Sequence, residues 1–233
     1  MSSEPRVLRQ WRFQPPPGAT EILLIRHGES EPAVAGQSFA LLDGQGDPAL
    51  APEGEAEAEQ VCERLASEHV DAIYVSTLRR TAQTAAPLAQ RLGIVPIADP
   101  DLREVFLGEW EGGGIFRERV NDRHPLAVRM FEEQRWDVVP GAEPADVFAA
   151  RLHEAVERVA AAHPDQRVAL FVHGGVIGEI LHQATMSRPF AFVGADNASI
   201  SHIVVTDERW ILRRFNDTSH LRRYMTTGPE PLT

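Results

Sequence analysis

Three short apolar runs do most to limit how this chain can fold. Residues 21–25 read EILLI, residues 72–75 read AIYV and residues 167–172 read RVALFV. Each is apolar on consecutive positions, so both faces need cover, as in a strand buried inside a parallel sheet. Helix-periodic segments lie between them. Ala58, Val61, Cys62 and Leu65 share one stripe of a helix expected over 53–68. Leu78, Ala82, Ala85, Ala89 and Leu92 mark a second helix, with a kink expected at Pro87. Phe148, Leu152, Ala155 and Val159 mark a long helix over 145–162, and Val176, Ile177, Ile180 and Leu181 another. A short strand is expected at 95–97. Two alternating runs, 199–206 and 210–215, close the chain as antiparallel strands at one edge. The pattern predicts a three-layer α/β sandwich: a mainly parallel central sheet with one antiparallel edge strand and helices on both faces.

The 233 residues contain no internal repeat and no dividing linker, so one domain is expected. Residues 1–20 read as an N-terminal extension: Arg6, Arg9 and Arg12 surround Trp11, and Pro15–Pro17 end a poorly ordered leader. The domain proper is expected at 21–224, with a lid or insertion around 105–143 and a tail at 225–233. The stretch 104–143 is irregular and rich in Gly, Pro, Trp and Phe, with one helix near 125–134. No apolar run approaches the length of a membrane span, and residues 1–18 lack the apolar core of a secretory signal. A single cysteine, Cys62, fits a reducing compartment, and a cytoplasmic location is expected. The formal net charge of −11 argues against nucleic acid or an acidic membrane as partner. An anionic substrate would have to be held by a local cluster of arginines. Oligomeric state is not legible.

The strands share a feature at their ends. The first runs into Arg26-His27-Gly28, the second into Ser76-Thr77-Leu78-Arg79-Arg80, and the later one into His173-Gly174-Gly175. In an open parallel sheet the carboxyl ends of the strands border the ligand crevice, so two histidines and two arginines could meet at one mouth. Arginines grip phosphate oxygens bidentately and stay charged. A glycine after each histidine would let backbone N–H groups approach an anion, and a helix N-terminus would add positive potential. One histidine can attack phosphorus while the other donates to the developing charge. A lone histidine at a strand end is usually a packing residue; two, each followed by glycine and one beside arginine, point to a phosphoryl group.

The same segments resemble the histidine phosphatase superfamily, the phosphoglycerate mutase-like branch 1. LLIRHGES (23–30) is similar to its signature, and S-T-L-R-R-T-A-Q-T-A (76–85) to S-x-L-x-R-A-x-Q-T-A. L-R-E-V-F-L-G-E-W-E-G (102–112) resembles L-R-E-x-x-x-G-x-W-E-G, and V-H-G-G-V-I (172–177) the second-histidine motif. D-P-A-L-A-P-E-G (47–54) resembles D-P-x-L-T-x-x-G, with alanine for threonine. The resemblance implies a phosphoglycerate mutase-like fold and a small phosphate-ester substrate, with no metal and no cofactor. It implies His27 as the nucleophile that becomes phosphohistidine. Arg26 and Arg80 would clamp the phosphoryl oxygens, and His173 would hydrogen-bond them with the Gly174 amide nearby. Glu104 would be the general acid and base. Arg79 is left as an ordinary helix-surface residue. Glu109 and Glu111 read as solvated loop carboxylates, and Trp110 as core. Ala33 stands where the family has an asparagine, so Ser30, Gln37 or Ser38 is expected to supply the missing phosphate donor.

Other readings fare worse. Gly44-x-Gly46-x-x-Ala49 fits a dinucleotide fingerprint but follows no clear strand, and Pro48 interrupts the helix it would need. His124, His153, His163, His182, His202 and His220 lack metal-ligand spacing. A phosphoglycerate mutase would share the phosphohistidine, but Ala33 and the W-E-G-G-G run at 110–114 depart from that pattern. A catalytically silent phospho-ligand-binding domain is disfavoured because His27, Arg26, Arg80, Glu104 and His173 are all retained. Phe106, Phe116, Met130, Phe131 and Trp136 either line a pocket for a partly apolar ester or pack a small subdomain.

Overall fold

The computed structural model describes residues 10–34 and 37–221. Arg6 and Arg9, and the tail expected at 225–233, lie outside the described residues. In chain order the elements are β1 (Thr20–Arg26), β2 (Leu41–Leu42), β3 (Gln45–Gly46), α1 (Pro52–Leu65), β4 (Ala72–Val75), α2 (Arg79–Leu92) and β5 (Ile97–Ala98). There follow α3 (Ile115–Asn121), α4 (Pro125–Glu133), α5 (Ala145–Ala162), β6 (Arg167–Val172), α6 (Gly174–Thr185), β7 (Ile200–Val205) and β8 (Trp210–Asp217). Six strands form one sheet in the order β5-β4-β6-β1-β7-β8. Strands β5, β4, β6 and β1 are mutually parallel, and β7 pairs antiparallel with both β1 and β8. The strand that runs against the rest is β7, with β8 outermost.

The apolar runs are buried on both faces because alternate residues serve two cores. Ile22 and Leu24 of β1, with Val168, Leu170 and Val172 of β6, pack on α5 and α6 through Phe148, Leu152, Val176 and Ile180. Leu23 and Ile25, with Ala169 and Phe171, face the other way onto Val61, Cys62 and Leu65 of α1 and Ala85 and Leu88 of α2. The expected three layers are present. Among the described residues no helix is long and apolar enough to cross a membrane.

Some boundaries differ from expectation. Pro52 opens α1, where a missing N–H costs nothing. Helix α2 continues through Pro87 and ends at Gly93 in the left-handed region. The short strand is shifted to 97–98, where Ile97 and Ala98 pair with Tyr74 and Val75 of β4. Helix α3 was not anticipated. It is seven residues long, starts after three glycines and buries none of its own residues, so it carries no apolar stripe to read. The part of the N-terminal arm that is described is not wholly detached, because the Phe13 ring lies 3.9 Å beneath the Arg213 guanidinium.

Residues 105–143 form a small helical cap with its own core of Trp110, Ala127, Met130, Val138 and Val139. The loop after β1 is pinned differently, by backbone against backbone. A Cβ on Gly54 would stand 2.1 Å from the Glu29 carbonyl oxygen, and one on Gly28 would stand 2.6 Å from the Gly54 oxygen. Glu29 also donates its N–H to Glu57 of α1, at 2.8 Å. Gly54→Ala should therefore destabilise the protein by about 2 kcal/mol or more, as overpacking does, although alanine is the better helix former. Urea unfolding reads this directly, and a rise in the midpoint would contradict it.

Candidate active site

Parallel pairing of β1 with β6 places Arg26 opposite Val172, so the next residues, His27 and His173, emerge side by side. Their rings meet edge to face with centroids 5.2 Å apart. On the far side of β6, Val75 pairs with Phe171. Ser76 then lies next to His173, its Oγ 2.8 Å from Nε2. The first turn of α2 follows at once and delivers Arg80. Adjacency in the sheet thus brings together groups up to about 150 positions apart in the chain.

His27 is 7% exposed. Its Nδ1 lies 2.7 Å from the Gly28 carbonyl oxygen. A carbonyl can only accept, so Nδ1 carries the proton and a neutral ring keeps its lone pair on Nε2. The His27 carbonyl is itself held by the Asn197 side chain at 3.0 Å and the Ala198 N–H at 3.2 Å. Burial, then Arg80 and Arg26, hold the His27 pKa well below the usual imidazole range. Burial, Arg80 and the neighbouring His27 do the same for His173. Both rings are neutral at pH 7.

Arg26 and Arg80 are oriented by carbonyls: Arg26 Nη1 donates to Ala195 at 2.5 Å and Arg80 Nη1 to Gly46 at 3.1 Å. Burial lowers the pKa of Arg26, and that of Arg80 to about 10; guanidiniums stay cationic at neutral pH. Gly174 opens α6 beside the Arg26 guanidinium, where a Cβ would be 3.5 Å from Nε. Glu104 comes from the irregular segment after β5. One carboxylate oxygen accepts the Gly175 N–H and the other the Val105 N–H, each at 3.0 Å. A Cβ on Gly175 would sit 2.5 Å from Glu104 Oε1, so this carboxylate fits only against glycine.

Arg26, His27, Ser30, Arg80, Glu104 and Gly174 line one cavity of about 200 Å³. His173 stands behind them, fully buried, with Nδ1 lacking a hydrogen-bond partner in the structure. The outer wall is apolar, from Phe39, Leu107, Trp110, Phe116, Trp136 and Val193, and Arg117 completes it.

Several details correct the sequence reading. The Gly28 N–H does not face an anion: it donates to Thr84 Oγ1 at 3.0 Å, and the glycine is there for the approach to Gly54. Arg79 pairs with Asp47 through Nε at 2.9 Å, and Asp47 also accepts the Arg79 N–H at 2.8 Å. Together they fasten the 45–50 loop to α2. Glu111 is not solvated but accepts the N–H groups of Gly46 and Leu107. Trp110 is 5% exposed in the cap core and also borders the cavity. Of the apolar candidates, Phe116 and Trp136 reach the cavity, Met130 is sealed in the cap, and Phe106 and Phe131 are not in the cavity wall. Gln37 and Ser38 do not line it either; only Ser30 of the three donors does. Asn197 and Thr84 were not singled out for these roles.

A parallel α/β sheet with two histidines and two arginines at its carboxyl mouth defines an enzyme that handles phosphoryl groups. The family model for the histidine phosphatase superfamily (branch 1) matches residues 22–218. The chain belongs to that family and is a phosphatase of the histidine-phosphatase type. It is 32% identical over 206 residues to a metal-independent phosphoserine phosphatase of Arabidopsis thaliana, covering 87% of this chain and 83% of that one. It is 30% identical over 208 residues to phosphoserine phosphatase 1 of Hydrogenobacter thermophilus, covering 88% and 95%. The solved structure of mycobacterial glucosyl-3-phosphoglycerate phosphatase superposes with a TM-score of 0.71 at 27% identity, covering 86% of this chain and all of that one.

The buried histidines couple stability to pH. Their folded pKa values lie below the unfolded value of about 6.5, so the unfolded state binds the extra protons. Their contribution is fully present above pH 6.5 and is lost as pH falls from 6.5 toward the folded values. Unfolding free energy should drop across that window by at most about 1.4 kcal/mol per pH unit for each histidine. His173→Gln should flatten the slope; an unchanged slope in urea titrations at pH 7, 6 and 5.5 would contradict this origin.

Proposed function

We propose that the chain is a metal-independent phosphomonoester hydrolase that works through a phosphohistidine on His27. The observation that carries the reading is the Nδ1–H bond to the Gly28 carbonyl, which leaves an unprotonated Nε2 beside two cationic guanidiniums. Nε2 attacks phosphorus in line, the N–P bond forms, and the P–O bond to the leaving alcohol breaks. Glu104 gives its proton to the departing oxygen. Water then attacks the phosphohistidine, Glu104 takes its proton, and phosphate leaves with the N–P bond broken. Arg26, Arg80 and the Gly174 amide at the start of α6 meet the three phosphoryl oxygens and stabilise their charge, as metal ions do elsewhere.

His173 acts as a donor. Its Nε2 lies 2.8 Å from Ser76 Oγ; with the hydroxyl assigned as the donor, the ring proton is on Nδ1, the nitrogen without a protein partner. Residues 105–143 cover the mouth of the site. The single buried Cys62 suits a reducing cytoplasm.

The substrate class is a small phosphate ester whose alcohol bears a second acidic group and a modest apolar part. Arg117 has no carboxylate partner among the described residues and shares the cavity with the phosphoryl-binding arginines. The related proteins are named for phosphoserine and glucosyl-3-phosphoglycerate, both of which carry a carboxylate. A phosphoglycerate mutase remains the second reading within the same chemistry, and faster isomerisation than hydrolysis of 3-phosphoglycerate would establish it.

Hydrolysis of a phosphomonoester should persist in EDTA and vanish in His27→Ala, and the wild type should trap an acid-labile, base-stable phosphoenzyme. Activity that survives His27→Ala, or dies with chelator, would refute the mechanism. Arg117→Ala should raise KM about fivefold for esters with a carboxylate and leave aryl phosphates within a factor of about two, since one exposed charge contact is worth up to about 1 kcal/mol. Equal effects on both would remove the second-anion subsite.

A further inference from the structure

We infer that Arg151 of α5, which lies outside the substrate cavity, is the positioning residue for Glu104. The inference rests on the proposed role of Glu104 as general acid. Glu104 sits in an irregular stretch with no ladder to hold it, yet its carboxylate must reach the first turn of α6. Arg151 supplies the missing frame. Its Nη1 donates to the carbonyls of Asp101 at 2.7 Å and Arg103 at 2.9 Å, and its Nη2 to that of Glu104 at 3.1 Å. The remaining two N–H groups go to Glu143, from Nε at 2.7 Å and from Nη2 at 2.8 Å. All five donors of the guanidinium are used.

Glu143 extends the frame past Glu104. Its carboxylate accepts the Phe106 N–H at 3.3 Å, and its own N–H donates to the Phe106 carbonyl at 2.9 Å. The Arg151–Glu143 pair therefore holds the chain on both sides of the acid, from 101 to 106. Gln45 approaches from the cavity side and donates to the same Glu104 carbonyl at 2.8 Å. Arg151 is itself fixed, for its guanidinium lies 4.8 Å from the Phe148 ring and α5 is seated in the core through Phe148 and Leu152. No other cation has the planar fork this needs: lysine has three donors and no fixed plane.

A positioning role for the acid has a signature that general loss of structure lacks. Departure of an alkoxide needs the proton from Glu104, whereas p-nitrophenolate leaves unaided. The ratio kcat/KM reports formation of the phosphoenzyme, where this difference appears. In Arg151→Lys, kcat/KM for an alkyl phosphate should fall about 100-fold, in the range of a lost general acid. The value for p-nitrophenyl phosphate should fall less than about fivefold, while kcat for both can share a loss from slower hydrolysis of the common phosphoenzyme, which kcat/KM does not contain. Glu143→Gln, which keeps the shape of its partner, should show the same leaving-group bias at smaller size. Adding Arg151→Lys to Glu104→Gln should cost little more than Glu104→Gln alone.

Equal losses for both esters, or fully additive losses in the double variant, would overturn the inference. Should Arg151→Lys fail to fold, Glu143→Gln decides by the same ratio. Failure of the hydrolase reading looks different: His27→Ala would then retain turnover, and the Glu104→Gln control would show no leaving-group bias.

Discussion

The parallel pairing of β1 with β6 is the constraint on which the site depends. Because Arg26 lies opposite Val172, the two histidines leave the sheet at the same level, and Ser76 leaves β4 on the other side of His173. A shift of one residue in this register would turn Ile22 and Leu24 out of one core and into the other, and separate the histidines as well. The hydrophobic pattern that fixes the fold therefore also fixes the distance between the two histidine rings. Stability and geometry are set by one register.

The buried charges work in the opposite direction. Two guanidiniums sit at the mouth of the sheet with a carboxylate that is occupied by backbone N–H groups, in a chain of net charge −11. Burying cations is costly, and the fold offsets the cost only in part through the Ala195 and Gly46 carbonyls. The surplus positive potential is visible in the histidines, whose pKa values it depresses together with burial. The cavity thus pairs two guanidiniums with a neutral His27 ring, an environment arranged in advance for an anion. The global negative charge is remote and screened; the local field decides.

Much of this was legible before any coordinates. Runs apolar on consecutive residues announced buried strands, and the residues that ended them were those that meet at the mouth. What stayed hidden has common physical causes. Helix α3 has no buried face, so periodicity could not mark it. Asn197, Thr84 and Glu111 act by binding backbone groups, and no spacing rule tells such a side chain from a solvated one. Gly28 was recognised but for the wrong reason, since a close approach between two chain segments leaves no trace in either segment alone. Arg151 lies amid an ordinary amphipathic helix pattern, and its partners are carbonyls some 50 residues away.

The position of Ala33 shows how packing and substrate grip constrain each other. A Cβ on Gly114 would stand 2.8 Å from the Ala33 side chain, and Ser38 pairs with Gly113 through the backbone. The loop after the nucleophile is thus pressed against the three glycines that begin α3. An asparagine at 33 would have to displace this contact. With alanine there, α3 sits close enough for Phe116 and Arg117 to enter the cavity wall. The loop after His27 and the start of α3 lie close together, and α3 contributes the Arg117 guanidinium to the cavity from its first turn.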